Sequence, residues 1–258
     1  MSTDHRSTSR VLDILEILAF SEDGFSLTEI ASAIDAPKSS IFPIVHTLHR
    51  REYIKMNSNT SKYTIGIRSL ALSSAYHSNN SILSYIRKEM QRIVDICSET
   101  CQLGILDKGN ILYLEKIDSP EPIRMISHVG TRLPAYCTGL GKALLSEHSK
   151  EELKSLFPNG FEKLTPNTIS DIDTLYDQLQ IIKQTQIACD CEEVTEHMQC
   201  YAIAIRKNGV MQAALSISVP VFRLSKEKIN LIEETLLESR DRIESLMTKL
   251  NFDFKSLY

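Results

Sequence analysis

The sequence predicts an α+β chain in two folded parts. A three-helix module closed by a hairpin occupies residues 5–67, an antiparallel-sheet domain flanked by helices occupies 81–252, and a linker helix at 68–80 joins them. Three observations carry this reading. Apolar residues recur at helical spacing through the first fifty positions. Two Gly-containing turns each join a pair of short β-rich runs. Helical patterns stand at both ends of the second part, with the strands between them.

Taken in order, Val11, Leu12, Ile14, Leu15 and Leu18 mark an amphipathic helix from Thr8 to Phe20, ended by the polar turn Ser21-Glu22-Asp23-Gly24. Ser26-Leu27-Thr28-Glu29 has the spacing of a capping box, in which the Ser hydroxyl and the Glu carboxylate satisfy each other's backbone N–H groups. It opens a short helix through Ile34 with Ile30, Ala31 and Ile34 facing inward. After the Asp35-Ala36 turn, Pro37 suits the start of a third helix built on Ile41, Ile44, Val45 and Leu48. Residues 52–56 and 63–66 flank an Asn/Ser/Thr turn and read as a hairpin. This order of elements is a winged helix-turn-helix, whose third helix enters the DNA major groove while the wing touches backbone. Charge supports that reading. From Ala36 to Arg68 the bases Lys38, Arg50, Arg51, Lys55, Lys62 and Arg68 face a single acid, Glu52, although the whole chain carries −4. The residues expected to touch DNA are Ser26, Thr28, Lys38, Ser39, Ser40, Phe42, Arg50, Arg51 and Lys62. A three-helix module used only for protein contacts is the competing reading.

Arg68 to Ser78 continues as a small-residue helix, a rigid linker, and Ile82 to Ile96 forms another amphipathic helix. Strand-like runs follow at 101–106, 111–114 and 123–126, the first two joined by Asp107-Lys108-Gly109-Asn110. Helices are expected at 141–146, 151–157 and 171–184, the last opened by a second capping box, Ser170-x-x-Asp173. A second hairpin runs from Tyr201 to Arg206, turns at Lys207-Asn208-Gly209 and returns from Met211 to Val219; Ser225 to Leu250 closes the chain as a long helix. Along the returning strand Met211, Ala213, Leu215, Ile217 and Val219 share one face. Gln212, Ala214, Ser216 and Ser218 share the other, and Cys200, Ala202 and Ala204 alternate likewise on the partner strand. The bulky face suits helix packing. The small, polar face leaves volume for a pocket floor, with a solvent-facing sheet as the alternative.

Several classes are excluded or disfavoured. At 42% hydrophobic and 24% charged residues the chain is not disordered. No apolar run is long enough for a membrane helix, and the polar first ten residues lack a secretory core, so the expected compartment is the cytoplasm. The six cysteines, at 97, 101, 137, 189, 191 and 200, are expected to be reduced and to behave as buried small hydrophobes. Cys97-x3-Cys101 and Cys189-x-Cys191 lack the two-residue gap of a zinc knuckle, so no metal and no cofactor is expected.

These motifs carry a resemblance over nearly the whole chain. Ser9-Arg10-Val11-Leu12-Asp13-Ile14-Leu15, Ser26-Leu27-Thr28-Glu29-Ile30-Ala31, Pro37-Lys38-Ser39-Ser40, His46-Thr47-Leu48 and Lys62-Tyr63-Thr64-Ile65-Gly66 resemble the DNA-binding domain of IclR-type transcriptional regulators. His128-Val129-Gly130, Leu133-Pro134-x4-Gly139-x-Gly141-Lys142-Ala143-Leu144-Leu145, Asp190-x-Glu192-Glu193-x6-Cys200 and Ala213-Ala214-Leu215-Ser216-Ile217-Ser218 are similar to its GAF-like effector domain. Four positions depart from the pattern. Pro43 stands where the family has Arg or another polar residue, Glu52 and His197 where Gly is common, and Ala204 where Pro is common. Pro43 costs a helical hydrogen bond, so the third helix is expected to start late or to kink.

The resemblance implies a regulator of transcription, expected to repress. It implies a double-stranded DNA operator, a homodimer or homotetramer, and a small carboxylic acid effector. The implied pocket falls on Leu133, Gly139, Leu140, Asp190, Met198, Cys200, Ser216 and Ser218. The backbone N–H groups opening the helix near Gly139–Gly141 agree with an anionic ligand. Two other readings stay open. The second domain could serve only to oligomerise. A Cys-dependent enzyme would use Cys200 as nucleophile, His197 as base and Asp190 to orient it.

Overall fold

The computed structural model describes residues 4–72 and 81–254. The chain divides between Ser81 and Ile82 into two compact units.

The first unit follows the hydrophobic spacing. Helices α1 (Arg6–Ala19), α2 (Leu27–Ala33) and α3 (Lys38–Arg50) bury Ile14, Leu18, Ile30, Ile41, Val45 and Leu48 against one another and against Ile54. The capping box forms at α2: Ser26 Oγ accepts the Glu29 N–H at 3.3 Å, and the Ser26 N–H donates to Glu29 Oε2 at 2.7 Å. These bonds hold the Glu29 carboxyl below its ordinary range. Strands β2 (Ile54–Met56) and β3 (Lys62–Ile65) make the wing, whose turn is closed by Asn57 Oδ1 accepting the Asn59 N–H at 2.9 Å. A third strand, β1 (Phe25–Ser26), pairs with β3 on the side away from β2. Two residues are too few for an alternation to show, so only the pairing reveals it. Residues 68–72 are helical, where the linker helix is expected to begin; its remainder, 73–80, lies outside the described residues.

α3 does not start late. It begins at Lys38, directly after Pro37, and continues through Pro43 to Arg50. Pro43 lacks an N–H, so the Ser39 carbonyl loses its helical partner. Ser39 is exposed, and water can take that bond. Glu52 and His197 adopt φ of +63° and +64°. Both lie in the left-handed region that glycine reaches without steric cost, which accounts physically for the Gly common at these positions in the resembled family.

The second unit is a six-stranded antiparallel sheet in the order β6-β5-β4-β9-β8-β7, with strands β4 (Thr100–Asp107), β5 (Asn110–Ile117), β6 (Arg132–Pro134), β7 (Ala188–Cys191), β8 (Met198–Lys207) and β9 (Val210–Pro220). Both hairpins turn on two consecutive left-handed residues, Lys108-Gly109 and Asn208-Gly209, matching the strand twist. Helices α4 (Ser81–Cys97) and α8 (Lys226–Lys249) cover the bulky face, packing Ile86, Met90, Ile93, Ile232, Leu236 and Ile243 on Leu103, Ile203, Leu215 and Ile217. Helices α5 (Gly139–Leu145), α6 (Lys150–Leu156) and α7 (Ile172–Thr185) gather on the small face around Ala202, Ala204 and Ala214. α5 lies so close that a Cβ on Gly139 would stand 3.0 Å from the Cys200 carbonyl oxygen and 3.3 Å from Ala202 Cβ.

Three local expectations are corrected. Residues 123–126 form no strand: 118–131 are irregular, and at Tyr113 the edge of β5 bonds Gly130 and Thr131 instead. Helix α7 is capped by Asp171, whose carboxylate accepts the Thr174 N–H at 2.8 Å, not by a Ser170–Asp173 box. A register shift between Ile205 and Arg206 inserts an extra residue in β9, so Met211 packs with the small-face cluster and not with Ala213 and Leu215.

Candidate nucleic-acid interface and buried pocket

Helix α3 turns Ile41, Val45 and Leu48 inward, which leaves Ser39, Phe42, Pro43, His46 and Arg50 along one exposed stripe. Phe42 is 54% exposed, and its ring centroid lies 6.2 Å from that of His46. Lys38, Arg50, Arg51 and Lys55 are exposed, and Lys62 is half-buried on β3 opposite Ser26. Among the described residues none of these five bases is in an ion pair; in this stretch only Arg68 reaches a carboxylate, Glu52, at 3.7 Å. The positive charge is therefore available to an anion. Thr28 is exposed on α2, and Ser26 keeps its hydroxyl proton because its oxygen acts as acceptor in the cap. Ser40 differs: its hydroxyl donates to the Pro37 carbonyl at 2.7 Å, so that proton is not offered to a phosphate. His46, which the charge pattern does not single out, joins the stripe through its four-residue spacing from Phe42 and Arg50. An exposed helix with unpaired bases beside a wing is the arrangement that docks in a major groove.

The pocket arises from strand register. Asp190, Cys200, Ser218 and Thr100 stand in one row across β7, β8, β9 and β4; Ala188, Ala202, Ser216 and Gln102 form the next. Over these rows sits α5. The cavity is lined by Gly139, Leu140, Asp190, Cys200, Ser216 and Ser218 from the expected set, joined by Tyr113, Met125, Thr138 and Val194. Leu133 and Met198 do not line it; Leu133 pairs with Ile111 on β5, and Met198 pairs with Pro220 at the start of β8. The enclosed volume is about 10 Å³, room for one water molecule.

Buried polar groups organise this space. Gln102 Oε1 accepts the hydroxyls of Ser216 and Ser218, each at 3.1 Å, and Gln102 Nε2 donates to Ser127 Oγ at 3.3 Å. Cys200 Sγ lies 3.1 Å from Ser218 Oγ. Thr138 caps α5: its hydroxyl oxygen accepts the Gly141 N–H at 3.0 Å and its carbonyl the Lys142 N–H at 2.9 Å. Of the N–H groups expected to meet an anion, this cap leaves Gly139 and Leu140. Lys142, fully buried, gives its ammonium protons to Glu193, to Gln178 Oε1 at 2.8 Å and to the Cys189 carbonyl at 3.0 Å, so it is a structural cation and not a ligand contact. Asp190 is 3% exposed, and its Oδ1 accepts the Glu193 N–H at 2.7 Å. Burial pushes its carboxyl up to about 7, the Glu193 N–H bond opposes this, and the Glu193 charge adds to it. Gln102 and Met125 had no sequence signal as pocket residues. The first sits in an apolar strand and the second comes from the irregular segment.

The enzyme constellation does not assemble. His197 is 88% exposed on its side chain, with Nδ1 3.8 Å from Glu192 Oε2, while the Cys200 thiol is on the pocket floor. Burial holds that thiol well above its ordinary pKa, the opposite of what a nucleophile needs. Cys97, Cys101 and Cys137 are buried as expected, but Cys191 is exposed and Cys189 and Cys200 are intermediate. Among the described residues no three His, Cys, Asp or Glu side chains cluster as metal ligands, and no helix is long and apolar enough to cross a membrane.

Comparison with known proteins identifies both parts of the chain. Residues 7–58 match the IclR helix-turn-helix domain, and residues 74–245 match the bacterial transcriptional regulator IclR C-terminal domain. The chain is 30% identical to the HTH-type transcriptional regulator KdgR of Dickeya chrysanthemi over 86% of its own length and 73% of that protein. It is 29% identical to the HTH-type transcriptional repressor AllR of Escherichia coli K12, covering 86% of this chain and 83% of the relative. Its fold is similar to that of an IclR homolog from Microbacterium hydrocarbonoxydans complexed with 4-hydroxybenzoate, with a TM-score of 0.77, 21% identity, and coverage of 93% of this chain and 98% of the other. The chain therefore belongs to the IclR family: it is a DNA-binding transcriptional regulator, not an enzyme.

Proposed function

We propose that the protein represses transcription as a homodimer or homotetramer, with residues 5–67 reading a two-fold DNA operator and 81–252 sensing a small organic acid. Lys38, Arg50, Arg51 and Lys62 supply phosphate contacts. Ser39, Phe42 and His46 face base edges, where the exposed Phe42 ring suits thymine methyl groups. The observation that carries the sensing role is the convergence of Ser216, Ser218, Cys200, Thr138 and Asp190 on one small space, since polar groups on small side chains offer hydrogen bonds to a ligand once that space widens. The effector carboxylate is placed at the Gly139 and Leu140 N–H groups, and Asp190, half-protonated near neutral pH, donates or accepts one further bond. At about 10 Å³ the space must widen before an aromatic acid enters, and Met125, which comes from the irregular segment, is the wall that gives way. AllR of Escherichia coli is a repressor and the Microbacterium protein was crystallised with 4-hydroxybenzoate, and both support this reading.

The experiment is a thermal-shift series on the full chain with carboxylic acids, starting from 4-hydroxybenzoate, in wild type and Ser216→Ala. An acid at about 100 times its Kd stabilises by roughly 2.7 kcal/mol. Loss of the ligand's partner at Ser216 weakens binding about ten- to hundredfold. If no acid shifts wild type, the second domain is an oligomerisation unit only. An acid that shifts both proteins equally places the pocket elsewhere.

A further inference from the structure

Strand β7 forms one edge of the six-stranded sheet, and Cys189 and Cys191 are two residues apart on it. Successive side chains alternate, so both thiols project to the face opposite Asp190. There the two sulfur atoms lie 2.7 Å apart, with Cys189 half-buried against the α4–α8 core and Cys191 exposed. The pair is thus inside hydrogen-bonding contact and open to solvent on one side. Its acidity is divided: the bond from Cys189 holds the Cys191 thiol below the ordinary range, with the Lys142 charge helping, while Cys189 is pushed up. One sulfur is suited to attack and its neighbour to resolve.

We propose that Cys189 and Cys191 are an oxidation site at which a hydroperoxide closes a disulfide within the edge strand. The Cys191 thiolate attacks the peroxide O–O bond, forming a sulfenic acid and releasing an alcohol or water. The Cys189 sulfur then displaces the sulfenic oxygen, which leaves as water with the Cys189 proton. Two thiols and one hydroperoxide become one disulfide, one alcohol (or water) and one water, with two electrons passing from sulfur to oxygen. Extended β7 separates the two Cα atoms by about 6.6 Å at a rise of ~3.3 Å per residue, against a usual disulfide span of about 4.4–6.8 Å. Closure toward the commonest span of about 5.5–6 Å draws the strand together at its middle residue, Asp190. An edge strand can bend because one side has no partner to lose. A bond closed at this limit is readily reduced, which makes the site reversible. The oxidation does not depend on the proposed acid pocket.

The test uses the reduced full-length protein treated with stoichiometric hydrogen peroxide, then N-ethylmaleimide, proteolysis and mass spectrometry. The expected result is a peptide spanning both residues that has lost two hydrogens and two maleimide adducts, restored by dithiothreitol. Cys189→Ser and Cys191→Ser each abolish it, and Cys200→Ser retains it. Oxygen adducts on Cys191 with Cys189 still alkylated, a bond to Cys200 or to a second copy, or no reaction overturns the inference. Hydrogen exchange over 187–194 is expected to quicken on oxidation of wild type and not of Cys191→Ser; unchanged exchange with the bond formed overturns the bending at Asp190.

Discussion

Replacing Asp190 by Asn should make the protein more stable at alkaline pH and leave it little changed in acid. Asp190 is buried among Cys137, Cys200 and Tyr113, and burial raises its carboxyl from the ordinary 3.8 to about 7. The unfolded chain releases this proton near 3.8 and the folded chain near 7, so between these values the fold binds more protons. Stability then falls as pH rises through that window and levels off above it. A gap of about three pH units corresponds to roughly 4 kcal/mol as an upper limit, since water entering the site relaxes part of it. Asn keeps the shape and an oxygen to accept the Glu193 N–H, so the variant is spared the charge burial without losing that bond. Urea denaturation of both proteins from pH 5 to pH 8 isolates Asp190, because the remaining groups largely cancel in the difference. The variant's advantage should grow by about 3 kcal/mol over that range. A difference that stays constant with pH refutes the buried, half-protonated carboxyl. A variant less stable than wild type at pH 8 shows instead that the ionised Asp190 is a required partner, with the Lys142 charge favouring it.

Two further outcomes concern the DNA-binding unit. Lys38→Ala and Lys62→Ala, measured on DNA from upstream of the protein's own coding sequence, should each weaken binding and lower the slope of log K against log salt by about 0.9; an unchanged slope removes that residue from the phosphate contacts. Glu52→Gly releases a left-handed side chain at the cost of a solvent-exposed ion pair with Arg68. It should raise the stability of the chain by up to about 1 kcal/mol, less the extra entropy of glycine in the unfolded state. A clear loss in thermal denaturation shows that the Arg68 contact outweighs the backbone strain.

What the sequence by itself determined is the part of this protein governed by neighbours along the chain. The inward faces of α1 to α4 and α8 follow from residues three and four apart, because a helix turns its own sequence into a surface. The Ser26–Glu29 box and the Asn208-Gly209 turn are settled within four residues. So is the small face of β8 and β9, since period-two alternation places Ser216 and Ser218 together whatever strand lies beside them. The family motifs pointed to Gly139, Asp190 and Cys200, which the fold brings together around one cavity.

Only the tertiary structure decided what depends on partners far away in sequence. Gln102 becomes the acceptor for two serines because β4 pairs with β9, a register no local pattern contains. The register shift beside Ile205 moves Met211 to the other face, and the edge of β5 at Tyr113 bonds Gly130 and Thr131 and not the 123–126 run. Lys142 reads as a surface charge until α5 presses it under Glu193 and Gln178. The height of the pocket has the same origin. A sheet face of small residues permits a cavity, but how closely α5 and Met125 approach it is set by packing across the whole unit, and that packing closes the space to about 10 Å³.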